Sequence, residues 1–215
     1  AAAECGAKLL FLCRPNNPTG AVFPESALRS AMDRIPPSTL VVVDEAYREF
    51  DETPFDSRSL ALDYPNVVIS RTFSKIYGMA GFRLGYGIMR PEVLAPIWTA
   101  RDPFSVNGLA MAAGLAALED VDHVERTRAL TREGKTYLYA AFERLGLEYV
   151  PSEANFILFD AGRPAAGVFD ELLRRGVLVR PCASFGLPNH LRVTVGTPEE
   201  NRRFVEALEA VLGRD

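Results

Sequence analysis

Apolar positions in this chain come in short blocks separated by longer mixed stretches. The runs KLLFLC (8–13), TLVVVD (39–44), NVVIS (66–70) and RLGYGIM (83–89) are apolar, β-branched in the middle two, and too brief for helices, so they predict buried strands. Between the first two, Pro24 opens a helical pattern through Ser26, Ala27, Leu28 and Met32 to about residue 34, and Pro36-Pro37 stops it. Buried strands separated by helices imply an α/β fold with a mainly parallel sheet covered on both faces.

The second half changes character. Helical patterns are expected over 91–98, 106–118 and 121–145, then strands near 148–150 and 155–159 and a helix over 165–175. Strands over 177–180 and 191–195 follow, and a helix over 198–212 closes the chain. Two domains are expected. Residues 1–120 form part of a large α/β domain, and 121–215 form a smaller C-terminal α+β domain reached through the long helix. No internal repeat and no Gly/Ser linker interrupts them.

Composition narrows the classes. The 215 residues are 48% hydrophobic and 24% charged, ordinary globular proportions that exclude a disordered or low-complexity chain. A net charge of −4 leaves no basic face for nucleic acid. No apolar run approaches the roughly 18 residues of a membrane span, and the opening AAAECGAKLLFLC lacks the charged n-region of a signal peptide. Cys5, Cys13 and Cys182 are odd in number and match no metal spacing, which suggests reduced thiols in the cytoplasm. His123 and His190 lie in no HExxH or CxxC setting, and no G-x-S-x-G elbow occurs. Zinc hydrolysis and Ser-His-Asp chemistry are therefore disfavoured.

Four polar clusters fall at strand ends, where open α/β sheets gather ligands. RPNNPTG (14–20) reads equally as a tight β–α turn or as a site offering the Asn17 amide. In VVVDEAY (41–47), Asp44 and Glu45 end an apolar strand, where a carboxylate needs a cationic partner. They suit a helix N-terminus, or alternatively an Asp holding a protonated ring nitrogen with Tyr47 nearby. RTFSKIYGMAGFRLGYG (71–87) is the most specific feature: Thr72, Ser74 and Arg83 suit a phosphate, and Lys75 can form a Schiff base with a carbonyl. Neither GxxxxGK[ST] nor GxGxxG is present. Last, Arg180 and Arg192 flank short strands, either solvated or poised for a carboxylate or phosphate.

These clusters, in this order, resemble the fold-type I enzymes that use pyridoxal 5'-phosphate, the aspartate aminotransferase superfamily. The likeness runs through RPNNPTG, VVVDEAYREF, RTFSKIYGMAGFRLGYGI, RDPFSVNGLA and EANFILF. RRGVLVRP and GLPNHLRVTVGTPEENRRF narrow it to the histidinol-phosphate aminotransferase subfamily. The resemblance implies a PLP-dependent transferase fold and transamination of L-histidinol phosphate with 2-oxoglutarate in histidine biosynthesis. It implies that Lys75 carries the cofactor as a Schiff base and, once displaced, shuttles the proton at the substrate Cα. Asp44 is implied at the pyridinium nitrogen, Asn17 and Tyr47 at the ring hydroxyl, and Thr72, Ser74 and Arg83 at the cofactor phosphate. Arg192 is implied at the carboxylate of glutamate or 2-oxoglutarate, Arg180 at the substrate phosphate and Asn155 in the substrate pocket. A cytoplasmic homodimer without nucleic-acid or membrane partners completes the implied picture.

Two departures bear on it. Arg14 stands where the family often has Asn or another small residue, and is expected to point away from the cofactor ring. Relative to the family pattern the chain also lacks an N-terminal segment carrying a Gly-rich phosphate cup, a ring-stacking residue and a dimerisation arm, so the 215 residues alone are expected to bind cofactor weakly and turn over little. An aromatic amino-acid aminotransferase or a threonine-phosphate decarboxylase shares nearly the same motifs. A catalytically silent folded or pairing module is the alternative outside enzymes.

Overall fold

The computed structural model describes residues 5–213. Two compact units divide them. The first takes the chain up to Pro15 together with Val22–Val124, and the second takes Asn16–Ala21 together with the chain from Glu125 onward.

In the first unit β1 (Leu9–Cys13), β2 (Leu40–Asp44), β3 (Val67–Thr72) and β4 (Gly85–Ile88) lie side by side in that order. The first three run parallel, and β4 returns antiparallel beside β3. The crossovers carry α1 (Glu25–Met32) and α2 (Ser57–Asp63). Alternate strand residues Val41, Val43, Val67 and Ile69 pack with Leu28, Met32, Phe55 and Leu60 in one core, as the period of two requires.

The opposite parity is treated differently. Leu9 pairs in register with Leu40 and Phe11 with Val42, yet Leu9 and Phe11 are 54% and 65% exposed. On this face, among the described residues, β1 is left exposed at Leu9 and Phe11 while Val68 of β3 is buried, so the expected covering is complete on the α1–α2 side and partial on the other. An apolar run marks a strand, but it does not say which side a second layer occupies.

Nothing in the hydrophobic pattern announces α2. Asp56 caps it by accepting the N–H groups of Arg58 and Ser59, and it then buries Leu60 and Ala61. At 7 residues it is too short to display a helical period, so its cap is the only available signal. Further on come α3 (Pro91–Ala100) and α4 (Gly108–Glu119). Pro opens α3, and Asn107 caps α4 by accepting the Ala110 N–H at 2.8 Å.

The division between units falls inside α5 (Val121–Arg144). In the second unit β5 (Tyr149–Val150), β6 (Phe156–Asp160), β8 (His190–Thr194) and β7 (Arg180–Pro181) form an antiparallel sheet in that spatial order. Its core joins Phe142 of α5 and Phe159 of β6 to Val168 of α6 (Ala165–Arg174) and Phe204 of α7 (Pro198–Leu212). Here the expected strand over 177–180 shrinks to Arg180–Pro181. The Val177 N–H returns to Leu172 O at 3.0 Å and the Gly176 N–H to Leu173 O at 2.9 Å, with Gly176 at φ +72°. This is a Schellman ending to α6, so Val177 serves the helix before the strand begins. Thr197 and Glu200 cap α7 reciprocally.

Candidate active site

In the first unit two adjacent parallel strands, β2 and β3, end side by side at Asp44 and Thr72. Asp44 shares a register row with Cys13 and Ser70, on the sheet face opposite the α1–α2 core. Its Oδ1 accepts the Ala46 N–H at 3.0 Å and its carbonyl accepts the Arg14 N–H at 2.9 Å. Asp44 is therefore held by its backbone and one oxygen, leaving the other free to bind. Burial, reinforced by the Asp44 carboxylate, pushes the Cys13 thiol pKa up. The chain then turns through the buried Tyr47 into a 3-10 turn at Arg48–Phe50, instead of the α-helix N-terminus that Asp44 and Glu45 also suited.

Beyond β3 the loop is folded on apolar anchors. Phe73, Ile76 and Met79 are buried, whereas Lys75 and Gly78 are exposed. The Gly78 N–H donates to Lys75 O at 2.9 Å, Met79 N–H to Phe73 O at 3.1 Å and Phe73 N–H to Leu84 O at 3.1 Å. Gly78 sits at φ +67°, a conformation costly for any residue with a side chain. A ring nitrogen of His123 lies 2.8 Å from Ile76 O. The result presents Lys75 outward on a closed loop, its Nζ 5.1 Å from the Tyr47 ring centroid. The Thr72 hydroxyl accepts the Ser74 N–H at 3.1 Å and lies 3.4 Å from Leu84 O. Arg83, at φ +53°, donates one Nη1 bond to Ala80 O at 2.7 Å and is exposed. Tyr47 and Lys75 are thus brought together, and Thr72, Ser74 and Arg83 flank the same loop.

Under these strand ends lies a charged row that the sequence alone does not assemble. Arg14, Glu45 and Arg71 each carry the parity of the core residues preceding them, so they face the α1–α2 side. Glu45 is fully buried; its Oε2 accepts from Arg71 Nε at 2.8 Å and from the Ser57 hydroxyl at 3.0 Å. Burial works against the Arg71 charge, but bonds to Tyr86 and Glu45 outweigh it and raise the pKa. Arg14 pairs with buried Asp51 and donates to Thr53 Oγ1 at 2.7 Å and Phe23 O at 2.8 Å. Its guanidinium lies 3.9 Å from the centroid of the Phe55 ring. The available signal is parity: each charge directly continues the buried register of LLFLC, VVVD or VVIS.

In the second unit Arg180 of β7 stands opposite Arg192 of β8. Arg192 donates through Nη1 to Asn17 Oδ1, and its guanidinium lies 4.6 Å from the Phe156 ring centroid. Its Nε is buried with no hydrogen-bond partner. A hollow of about 360 Å³ opens between Phe169, Leu178, Arg180, Arg192 and Thr194. Beside it, burial raises the Cys182 thiol pKa against the opposing pull of Arg192 and Arg180. Asn155 precedes β6, its carbonyl accepting the Val195 N–H at 2.9 Å. Asn17 reaches Arg192 because the 16–21 turn is fastened to this unit: Glu153 N–H donates to Gly20 O at 2.9 Å. Gly20 is required there, since it sits at φ +72° and a Cβ would come within 2.0 Å of the Ser152 hydroxyl.

Among the described residues no His, Cys, Asp and Glu group is arranged to hold a metal ion. No described helix is long and apolar enough to cross a membrane.

The chain is similar in sequence and fold to known proteins. The family model for aminotransferase class I and II matches residues 1–208. A histidinol-phosphate aminotransferase of Symbiobacterium thermophilum is 85% identical over 212 residues, covering 99% of this chain and 59% of its own length. Histidinol-phosphate aminotransferase 2 of Pseudomonas fluorescens is 49% identical over 209 residues, 96% of this chain and 56% of its own length. Among solved structures, histidinol-phosphate aminotransferase from Sinorhizobium meliloti in complex with pyridoxal-5'-phosphate superposes with a TM-score of 0.92 at 29% identity, over 99% of this chain and 59% of that one. The chain therefore spans somewhat under three fifths of the length of these proteins.

Proposed function

The chain belongs to the class I and II aminotransferase family, and we propose that the protein carrying it exchanges an amino group between L-histidinol phosphate and 2-oxoglutarate using pyridoxal 5'-phosphate. The observation that carries this is the pairing of strand ends in the first unit. A half-exposed carboxylate, Asp44, closes β2, and the next strand leads into a loop that presents Lys75 beside Tyr47, 5.1 Å from its ring centroid.

The donor set fits that cofactor. Asp44 retains one carboxylate oxygen for a pyridinium N–H, since only Oδ1 is engaged by Ala46. Tyr47 offers its hydroxyl to the ring hydroxyl. Asn17, whose Oδ1 accepts from Arg192, keeps its amide N–H groups for the same oxygen. Ser74, Thr72 and the exposed Arg83 supply hydroxyl and guanidinium donors for a phosphate, and Arg83 spends only its Nη1 on Ala80. Bound there, the cofactor supplies an electron sink for charge developing at the substrate Cα.

The chain's own groups do the rest. Asp44 would hold the ring nitrogen of the cofactor through its unengaged carboxylate oxygen. The Lys75 amine, on its closed loop, takes the proton from the substrate Cα and returns it. Arg192, with a buried Nε lacking a partner, suits the carboxylate of glutamate or 2-oxoglutarate, and Arg180 across the strand pair suits the phosphate of the amino donor. Asn155 lines the substrate pocket in this reading. A cytoplasmic homodimer belongs to the same proposal. Cysteines outside any disulfide suit a reducing compartment, and the exposed Phe104, Leu109 and Leu115 suit a subunit contact.

The test uses the protein expressed at full length. Histidinol phosphate and 2-oxoglutarate are supplied together and glutamate is followed by a coupled assay. In parallel, the protein with cofactor is treated with borohydride and its peptides are mapped. Glutamate formation and a single pyridoxyl group on Lys75, both lost in Lys75→Ala, are expected. CO₂ release without glutamate, or labelling scattered over surface lysines, would overturn the reading.

A further inference from the structure

Asp44 and Glu45 are neighbours in sequence, but the strand alternation sends them to opposite faces. Asp44 goes to the face of Cys13 and Ser70, and Glu45 to the α2 side, where it meets Ser57. From this we infer that Glu45 is a positioning residue for the cofactor seat, acting through Arg71. The inference rests on the functional reading above.

Four observations carry it. The last backbone bond between the two strands runs from Glu45 N–H to Ser70 O at 2.8 Å. One residue past it, the Glu45–Arg71 pair at 2.8 Å is the next link between the chain bearing Asp44 and the chain entering Thr72, Ser74 and Lys75. Arg71 is fastened on its other side: it faces Tyr86 in the β3–β4 register and donates from Nη2 to Ser57 Oγ at 3.2 Å. Finally, Glu45 Oε1 is buried without a hydrogen-bond partner, so the carboxylate depends on the Arg71 and Ser57 bonds to its other oxygen. The other charged groups around Arg71 and Glu45 are Glu49, whose pKa burial raises, and Arg48. A pair this dependent, placed where the ladder ends, fixes the spacing between Asp44 and the lysine loop. Removing Arg71 leaves Glu45 buried and uncompensated, and removing Glu45 takes the anion from a partly buried Arg71.

The experiment strips cofactor from the full-length protein and titrates pyridoxal phosphate back into wild type, Glu45→Gln, Arg71→Gln and the double variant. Thermal midpoints of the cofactor-free proteins and visible circular dichroism of the loaded ones are recorded alongside. Each single change is expected to weaken cofactor binding by about tenfold and to diminish the visible dichroism. The double variant should be no worse than the weaker single, because residues acting as one device do not add. Additive losses would overturn the inference, as would a lowered thermal midpoint with unchanged affinity and dichroism. If either charge variant fails to fold, Ser57→Ala decides: it removes one bond from Glu45 Oε2 and should weaken cofactor binding by about threefold, and no loss refutes the role. A wild-type protein that takes up no cofactor would instead sink the functional reading, and this inference with it.

Discussion

Replacing Arg14 by Met probes the other half of the charged row. The Arg14 and Asp51 side chains are 1% and 0% exposed, so solvent does not screen them. The roughly 0–1 kcal/mol typical of a surface pair does not apply. Removing one member of a buried pair costs about 3–5 kcal/mol, because the remaining charge stays buried. Asp51 keeps some support, from the Thr53 N–H at 2.8 Å, the Thr53 hydroxyl at 2.6 Å and Arg48 at 3.8 Å, which pulls the cost toward the lower end. The lost stacking on Phe55 at 3.9 Å adds about 0.5–2 kcal/mol.

A net loss of about 3–4 kcal/mol follows, more than a hundredfold in the folded-to-unfolded ratio. Urea unfolding of the full-length protein followed by circular dichroism measures it. Arg14→Met with Asp51→Leu should recover most of the loss, since an apolar pair of similar volume replaces the ionic one at little cost. A single-variant loss below about 1 kcal/mol, or a double variant less stable than Arg14→Met, would refute the argument.

Thr197→Ala removes one half of the α7 capping box and should cost about 1 kcal/mol in the same unfolding assay. The Thr197 N–H holds the Glu200 carboxyl below its usual range. Its contribution is therefore present above the ordinary carboxylate pKa and lost as pH falls through the depressed folded value. Glu200→Gln should accordingly flatten the acid side of the stability profile. Gly20→Ala forces a Cβ against Ser152 at positive φ and should destabilise by about 1–3 kcal/mol, with faster amide exchange at Glu153, whose N–H bonds Gly20 O. Arg192→Lys surrenders the planar fork and should raise KM for 2-oxoglutarate by about tenfold or more in steady-state kinetics, leaving cofactor affinity unchanged; equal loss of both would displace Arg192 from its proposed role.

Much of the architecture was readable because each strand is a contiguous apolar block. β1, β2 and β3 begin and end within two residues of the runs that predicted them, and α5 and α7 match their long amphipathic patterns. Strand direction was not readable for β4: RLGYGIM looks the same whether it runs parallel or returns antiparallel. Nor was the boundary between α6 and β7, where Gly176 and Val177 satisfy a helix end with residues that look like a strand. In the site, the contiguous 71–83 segment stood out because hydroxyls, Lys75 and Arg83 are crowded into one loop. The ion pairs beneath were hidden by distance along the chain, Arg71 lying 26 residues from Glu45 and Asp51 37 from Arg14. Composition records such charges but not their partners.

The period-two alternation explains why one acidic dipeptide can serve two purposes. In Leu40–Asp44, Val41 and Val43 enter the α1–α2 core, so Glu45 must follow them into the interior, while Asp44 follows Leu40 and Val42 to the other side. An interior carboxylate survives only with a cation at hand, and Arg71 supplies it at 2.8 Å. A carboxylate on the opposite side, half-exposed and next to Cys13 and Ser70 in register, is free to bind a ligand. Exchanging the two acids, Asp44→Glu together with Glu45→Asp, would conserve charge and composition but ruin both roles. The shorter Asp side chain would stop one methylene short of Arg71, depriving a partly buried cation of its anion, while the longer Glu would overreach the position that Asp44 holds. The order of the two acids is thus fixed by strand parity and side-chain length together.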